Sequence, residues 1–399
     1  MKKISYLDKL TVFSIVLIPI FSSYKSIIPK IDLGMFIFLV VLFFNILKLK
    51  SSKKNFFYGN IIWIIYITYI IFSIVISSIF NFSNFGFNFF RFFKHILIIN
   101  VLIYYTNNKR FNFNYAIKIY CKVAVFASLF IYLQTILFYF FNIKLAGYFP
   151  NLIMYPSYAS RISTIGNHMF RPTSIFFEPA HFIEFVILSL IFYLFYFEKG
   201  IIKIFIAFFI TSGIFLSTSG QGMIIATFIW MIWICRTLKK KRKREILNVI
   251  LISILGIILM YFLFKSENGR LALERIFSSS GNHAAAGRIQ GYIVFKNLSL
   301  PEKIFGIGYG NVPNMFFTSL IFNLICIGYV GTFIYFLLYL IFFKYSKKFF
   351  LKLIVVINFI LSVSSTAFMG VTLLFYFMFI VSGIIHYKDI NKNKLTIKY

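Results

Sequence analysis

The stretch IIWIIYITYIIFSIVISSIF, residues 61–80, carries no charge, no proline and no glycine. An α-helix rises about 1.5 Å per residue, so a run of this length covers about 30 Å, the thickness of a bilayer's hydrocarbon core. Lipid offers no hydrogen bonds, and a helix satisfies its own backbone. Residues 61–80 therefore read as a transmembrane helix. Comparable apolar runs stand near 10–24, 33–47, 92–106, 117–141, 180–197, 201–217, 221–236, 246–264, 315–343, 351–366 and 369–386.

These runs predict an all-α polytopic membrane protein of about 12 transmembrane helices, a single integral membrane domain over residues 1–399. Composition agrees, with 60% hydrophobic, 22% aromatic and only 13% charged residues; soluble domains carry about twice that share of charge. Two connections, 142–179 and 265–314, are too long to be turns and read as large extracytoplasmic loops. The second contains two amphipathic stretches, Arg270–Phe277 and Arg288–Leu298, expected as short helices along the outer membrane surface.

Charge sets the orientation. With the N-terminus inside, 28 of the 41 Lys and Arg residues fall on the cytoplasmic side and 13 outside, which obeys the positive-inside rule and places both termini in the cytoplasm. The first apolar run lacks a small-residue cleavage site and reads as a retained anchor. The net charge of +31 is spread in short clusters between spans, the densest over 236–244. That pattern suits anionic lipid heads and excludes a nucleic-acid tract. Cys121, Cys235 and Cys326 lie in or beside apolar runs, which gives neither a disulfide framework nor a zinc site.

Only ten acidic residues and five histidines are present, so acid–base chemistry has few places to be. The segment RPTSIFFEPAHFIE, Arg171 to Glu184, concentrates them. Pro179 suits the first turn of a helix and Glu178 its N-cap. Glu178 and His181 then share a face, and Glu184 lies about a turn deeper, where an ionisable group is costly. A cap for Glu178, a hydrogen-bonding role for His181 and a lipid anchor for Arg171 are the plainer readings. Against them stands the convergence of Arg, Glu and His at one helix mouth, with Arg270, Arg275 and Arg288 in the second loop. That loop ends in Phe305-Gly-Ile-Gly-Tyr-Gly310-Asn311, whose alternating glycines allow a sharp turn or a close approach to a ligand.

These pieces resemble the O-antigen polymerase (Wzy) family and the related O-antigen ligases. The matching segments run in the family's order: Arg171–Pro179, Leu216-Ser-Thr-Ser-Gly220, Gly287-Arg288, Phe305–Asn311 and Gly328-Tyr-Val-Gly331. They cover about 160 to 335. An Arg-x15-Gly spacing described for the family is met by Arg275 and Gly291 and not by Arg161 or Arg171. Phe317 and Thr318 stand where ligases often carry a His-Asn pair, which disfavours the ligase.

The resemblance implies a glycosyltransferase of the bacterial inner membrane that builds surface polysaccharide, such as lipopolysaccharide O-antigen, from repeat units on undecaprenyl pyrophosphate. It implies Arg171 and Arg288 on the pyrophosphate, with Arg161, Arg270 and Arg275 supporting them. The residues themselves point to Glu178 as base or acceptor-orienting group, with His181, His283, Tyr309 and Asn311 as further contacts. No clustered carboxylates occupy an outer loop, so neither metal nor cofactor is expected. The expected partners are the lipid-linked oligosaccharides, membrane lipids and a polysaccharide chain-length regulator, without nucleic acid. A lipid-linked oligosaccharide flippase shares the span count, and a non-enzymatic export scaffold is a third reading.

Overall fold

Apolar runs in this chain fold as helices whose polarity is reversed relative to water. Helix α3 (Asn60–Ile79) turns Ile61, Ile64, Ile65, Ile71, Phe72 and Val75 outward. It buries Asn60, Ser73 and Ser77 beside Trp63 and Tyr66. Apolar outside and polar inside is the arrangement that lipid favours. The computed structural model describes residues 4–48, 57–82, 88–147, 149, 151–154, 164–165, 169–197, 200–239, 243–265, 291–312, 317–365 and 370–396.

In chain order the helices are α1 (Tyr6–Phe21), α2 (Leu33–Leu47), α3, α4 (Phe89–Asn107), α5 (Phe113–Phe141), α6 (Pro179–Ile191), α7 (Ile201–Leu216), α8 (Gly220–Lys239), α9 (Lys243–Lys265), α10 (Leu300–Phe305), α11 (Ser319–Tyr345), α12 (Phe349–Ser364) and α13 (Gly370–Thr396). Each of the twelve apolar runs read from the sequence carries one of them. Seven are long and apolar enough to cross a membrane: α3, α4, α5, α6 with its π-helical continuation to Tyr196, α8, α11 and α13 as far as Ile390. Helices α2, α7 and α12 are apolar and shorter. Of the amphipathic stretches, Arg270–Phe277 lies outside the described residues, and 291–296 of the other is helical.

The chain divides into two compact units. The first comprises Met1–Ile18, Ile37–Ala116 and His283–Tyr399. Here α11 packs against α12, α3 and α10, and α4 packs against α13. Two ion pairs join the helix ends: Arg110 to Asp8 at 3.5 Å and Lys109 to Asp389 at 2.7 Å. Such solvated pairs contribute at most about 1 kcal/mol. They do place the start of α1 and the end of α13 at one face, beside the α4–α5 turn.

Helix α11 is broken at Gly328, where φ is 62° and ψ is −166°. The carbonyls of Ile325 and Cys326, just before the break, accept hydrogen bonds from Ile307 N–H (3.0 Å) and Gly308 N–H (2.9 Å). A Cβ on Gly306 would sit 2.3 Å from the Cys326 oxygen, and one on Gly328 would sit 2.3 Å from the Ile304 oxygen. The two glycines thus mark where two backbones touch. Cys326 lies seven residues into α11, so the 306–311 hairpin meets that helix about 10 Å along its axis. Ser77 Oγ donates to the Ile307 carbonyl at 2.6 Å and Asn88 N–H to the Gly310 carbonyl at 3.1 Å, tying the hairpin to α3 and α4.

The second unit comprises Pro19–Phe36 and Ile117–Asn282. Helix α6 packs on α7 and α8. Gly222 brings α8 against Ile183 of α6, and Trp230 Nε1 donates to Thr211 Oγ1 at 2.7 Å, linking α8 to α7. On α5 the Tyr120 hydroxyl donates to the Phe185 carbonyl and accepts from Ser189 N–H at 2.9 Å. The long connection after α5 runs along the α1–α2 turn: Lys25 N–H donates to the Ile153 carbonyl at 2.7 Å, and Phe149 N–H to the Tyr24 hydroxyl at 3.0 Å. Farther on, β1 (Thr164–Ile165) and β2 (Met169–Phe170) pair antiparallel, Thr164 opposite Phe170. That short ladder delivers the chain to Arg171.

Candidate functional site

The segment from Arg171 to Glu178 is fixed by a polar residue in the last third of α5. Gln134 is 1% exposed, and a buried amide in a membrane helix is costly unless both its ends are bonded. Its Oε1 accepts from Ser174 N–H at 2.8 Å; its Nε2 donates to the carbonyls of Leu145 (3.0 Å) and Ser174 (3.3 Å). Ser174 Oγ donates to the Ala127 carbonyl at 2.6 Å. Ser174 has a φ of 56°, a left-handed conformation that costs a non-glycine residue about 1–2 kcal/mol. The hydrogen bonds around it offset that strain. Gly147 presses on the same point, since a Cβ there would stand 1.5 Å from the Ser174 oxygen. Two places of the long loop, 145–147 and 174, are therefore fastened to α5 together.

Apolar packing fixes the rest of the segment. Ile175, Phe176 and Phe177 are all buried. The Phe176 ring lies 6.1 Å from Phe182 and 5.1 Å from Phe185 of α6. At one end, Arg171 is partly exposed and its Nε donates to Thr218 Oγ1 at 3.2 Å. Thr218 belongs to the α7–α8 turn and has a φ of 54°; its N–H donates to the Phe215 carbonyl at 3.0 Å. At the other end, Glu178 is the N-cap residue of α6, with extended φ and ψ and Pro179 directly after it. Its carbonyl accepts from Phe182 N–H at 3.2 Å, while its side chain makes no capping hydrogen bond. His181 is partly exposed one turn on, its ring 5.9 Å from Phe177. Glu184 is 6% exposed.

The structure thus brings together two segments that are separate in sequence, Arg171–Pro179 and Leu216–Gly220, through the Arg171–Thr218 bond. Arg161, Arg270, Arg275, His283 and Arg288 lie outside the described residues. Tyr309 and Asn311 are in the first unit and are 2% and 8% exposed. The Tyr309 ring stacks on His95 at 4.6 Å and meets Phe322 edge-on at 5.0 Å; Asn311 Nδ2 donates to the Ile307 carbonyl at 3.0 Å. The glycine hairpin turns these two side chains into the helix packing. Sequence reasoning gives Gln134 no role and takes Thr218 only as part of the Leu216–Gly220 segment. A lone amide in an apolar helix was the available signal for the first, and the Ser-Thr-Ser turn for the second.

Chemically, the second unit offers a guanidinium, a carboxylate at a helix N-terminus and an imidazole on one anchored stretch of chain. Among the described residues no three of His, Cys, Asp and Glu come together as metal ligands. No family model, no curated protein and no solved structure matches this chain.

Proposed function

We propose that this membrane protein polymerises lipid-linked oligosaccharide repeat units on the extracytoplasmic face of a bacterial cytoplasmic membrane, crossing it twelve times with both termini inside. The observation that carries the reading is the anchored segment with Arg171 at one end and Glu178 at the other. Glycosyl transfer from a lipid pyrophosphate needs positive charge on the departing phosphates and a base near the incoming hydroxyl. In the proposed reaction the acceptor hydroxyl oxygen bonds to the donor's anomeric carbon. The bond from that carbon to the pyrophosphate oxygen breaks, and undecaprenyl pyrophosphate leaves with the electron pair. Glu178 takes the hydroxyl proton.

Arg171 is suited to the phosphates because Thr218 fixes its Nε, and a guanidinium held in advance stabilises charge without reorganising during reaction. Glu178 is suited to the proton because it is a partly exposed carboxylate at the N-cap position, where α6 begins. Arg288 occupies the second arginine position of the resembled family, and His181 is a neighbour one turn from Glu178. A chain-length regulator is the proposed protein partner.

The test is complementation of a deletion strain with R171A, R288A, E178A or E178Q, with the surface polysaccharide run on a gel and the protein quantified in membranes. A base is worth about 10²–10⁴ in rate, so both Glu178 variants should lose the long-chain ladder and keep a single attached repeat unit. A wild-type ladder from E178A removes Glu178 from the reaction. Loss of even the single unit would transfer the function to a flippase or ligase.

A further inference from the structure

Arg91 lies in the first turn of α4, where Asn88 Oδ1 accepts its backbone N–H at 3.1 Å. Its guanidinium is 5.8 Å from the centroid of Phe322. The side chain is partly buried, and its guanidinium has no hydrogen-bond or ion-pair partner among the described residues. The described carboxylates of the first unit have partners of their own. Asp8 pairs with Arg110, Asp389 with Lys109, and Glu302 accepts from Ser299 at the start of α10. Behind Phe322 stand Tyr309 and His95, closely packed. A guanidinium keeps its charge in any protein, and a partly desolvated cation is stabilised when an anion joins it.

The surroundings select which anion. Arg91 is at the end of α4 opposite the Lys109–Arg110 turn. The N-terminus of α4 adds the positive end of a helix dipole. Around it Phe89, Phe90 and Phe93 are 56%, 48% and 50% exposed, with Phe89 stacked on Phe93 at 5.9 Å. A cation beside an exposed aromatic surface fits a molecule with a phosphoryl head and a hydrocarbon tail. We propose that Arg91 and the first turn of α4 form a binding site for the phosphoryl head of a membrane lipid, its chain lying along Phe89 and Phe93. Two lipids present this chemistry: a polyprenyl pyrophosphate, which rests on the function proposed above, and an anionic phospholipid, which does not.

Native mass spectrometry of the detergent-purified full chain distinguishes them, titrating phosphatidylglycerol, undecaprenyl pyrophosphate or phosphate-free diacylglycerol. The wild type is expected to retain one phosphoryl lipid and no diacylglycerol. A fork-shaped, charge-assisted contact should make R91A weaker by about tenfold or more, with R91K between them. R91Q keeps length over the Phe322 ring and substitutes for R91A should that variant fail to fold. Loss confined to undecaprenyl pyrophosphate assigns the site to substrate or product; loss confined to phosphatidylglycerol assigns it to the bilayer, whatever reaction the protein performs. Equal retention of both lipids by wild type, R91A and R91Q overturns the proposal.

Discussion

At the scale of single residues, Gln134 couples stability to the proposed chemistry. Replacing it with leucine keeps the volume and leaves the Ser174 N–H, the Ser174 carbonyl and the Leu145 carbonyl without this partner. Buried groups so abandoned cost about 1–3 kcal/mol each. Gln134→Leu should therefore melt several degrees below wild type in detergent and lose polymer, because the Arg171–Glu178 segment no longer has a fixed register. Gln134→Glu keeps an acceptor for the Ser174 N–H and should retain more polymer. A wild-type melting temperature for Q134L would show that the clamp contributes nothing. The sequence exposes Gln134 as a polar residue in an apolar run. It cannot show the partner, which lies 40 residues on and is bonded through backbone atoms that every residue type possesses. Thr218 was obscure for a related reason: a turn threonine ordinarily bonds its own turn, and only the fold brings Arg171 to it.

At the scale of elements, the glycine hairpin and the broken helix α11 act as one piece. Gly306 and Gly328 have φ of 83° and 62°, and each would drive a Cβ into backbone. Backbone cannot swing aside as a side chain can, so Gly306→Ala and Gly328→Ala should each destabilise by about 3 kcal/mol or more. Gly256 is the contrast, a helical glycine of α9 with nothing within 4 Å of its Cβ position. Gly256→Ala should leave stability unchanged or raise it by up to about 1 kcal/mol. Thermal unfolding monitored by size-exclusion chromatography compares the three; equal melting temperatures would deny that the hairpin and the kink depend on each other. The spacing of Gly306, Gly308 and Gly310 made a tight turn legible. Its partner was not, since Gly328 reads as an ordinary small residue in a span until the Ile307 and Gly308 amides are seen on the carbonyls before it. The same pairing explains why Tyr309 and Asn311 point into protein.

At the scale of the whole molecule, the apolar runs located the helices well, with α2 at 33–47 and α3 offset by one residue from 61–80. Run length governs that success, because hydropathy averaged over a span is insensitive to any single contact. It does not decide whether a helix as short as α1 crosses. The ion pairs of Asp8 and Asp389 with neighbouring residues of one turn fit an even number of crossings between the two ends, and the proposed topology has those ends in the cytoplasm. If α1 is the first crossing, Ile27 in the α1–α2 turn, 87% exposed, faces the exterior. The native thiols are suitably silent for a test: Cys121 and Cys326 are buried, and Cys235 sits near the basic end of α8. A membrane-impermeant maleimide should label Ile27→Cys in intact cells and leave the wild-type chain unlabelled until the membrane is opened. Labelling of wild-type Cys235 in intact cells would invert the orientation and place the Arg171–Glu178 segment inside, where an extracytoplasmic polymerase cannot work. Silence at both Ile27→Cys and Cys235 in intact cells would remove α1 and α2 together as crossings, which keeps the Asp8–Arg110 pair on one face and leaves the side of every later loop unchanged.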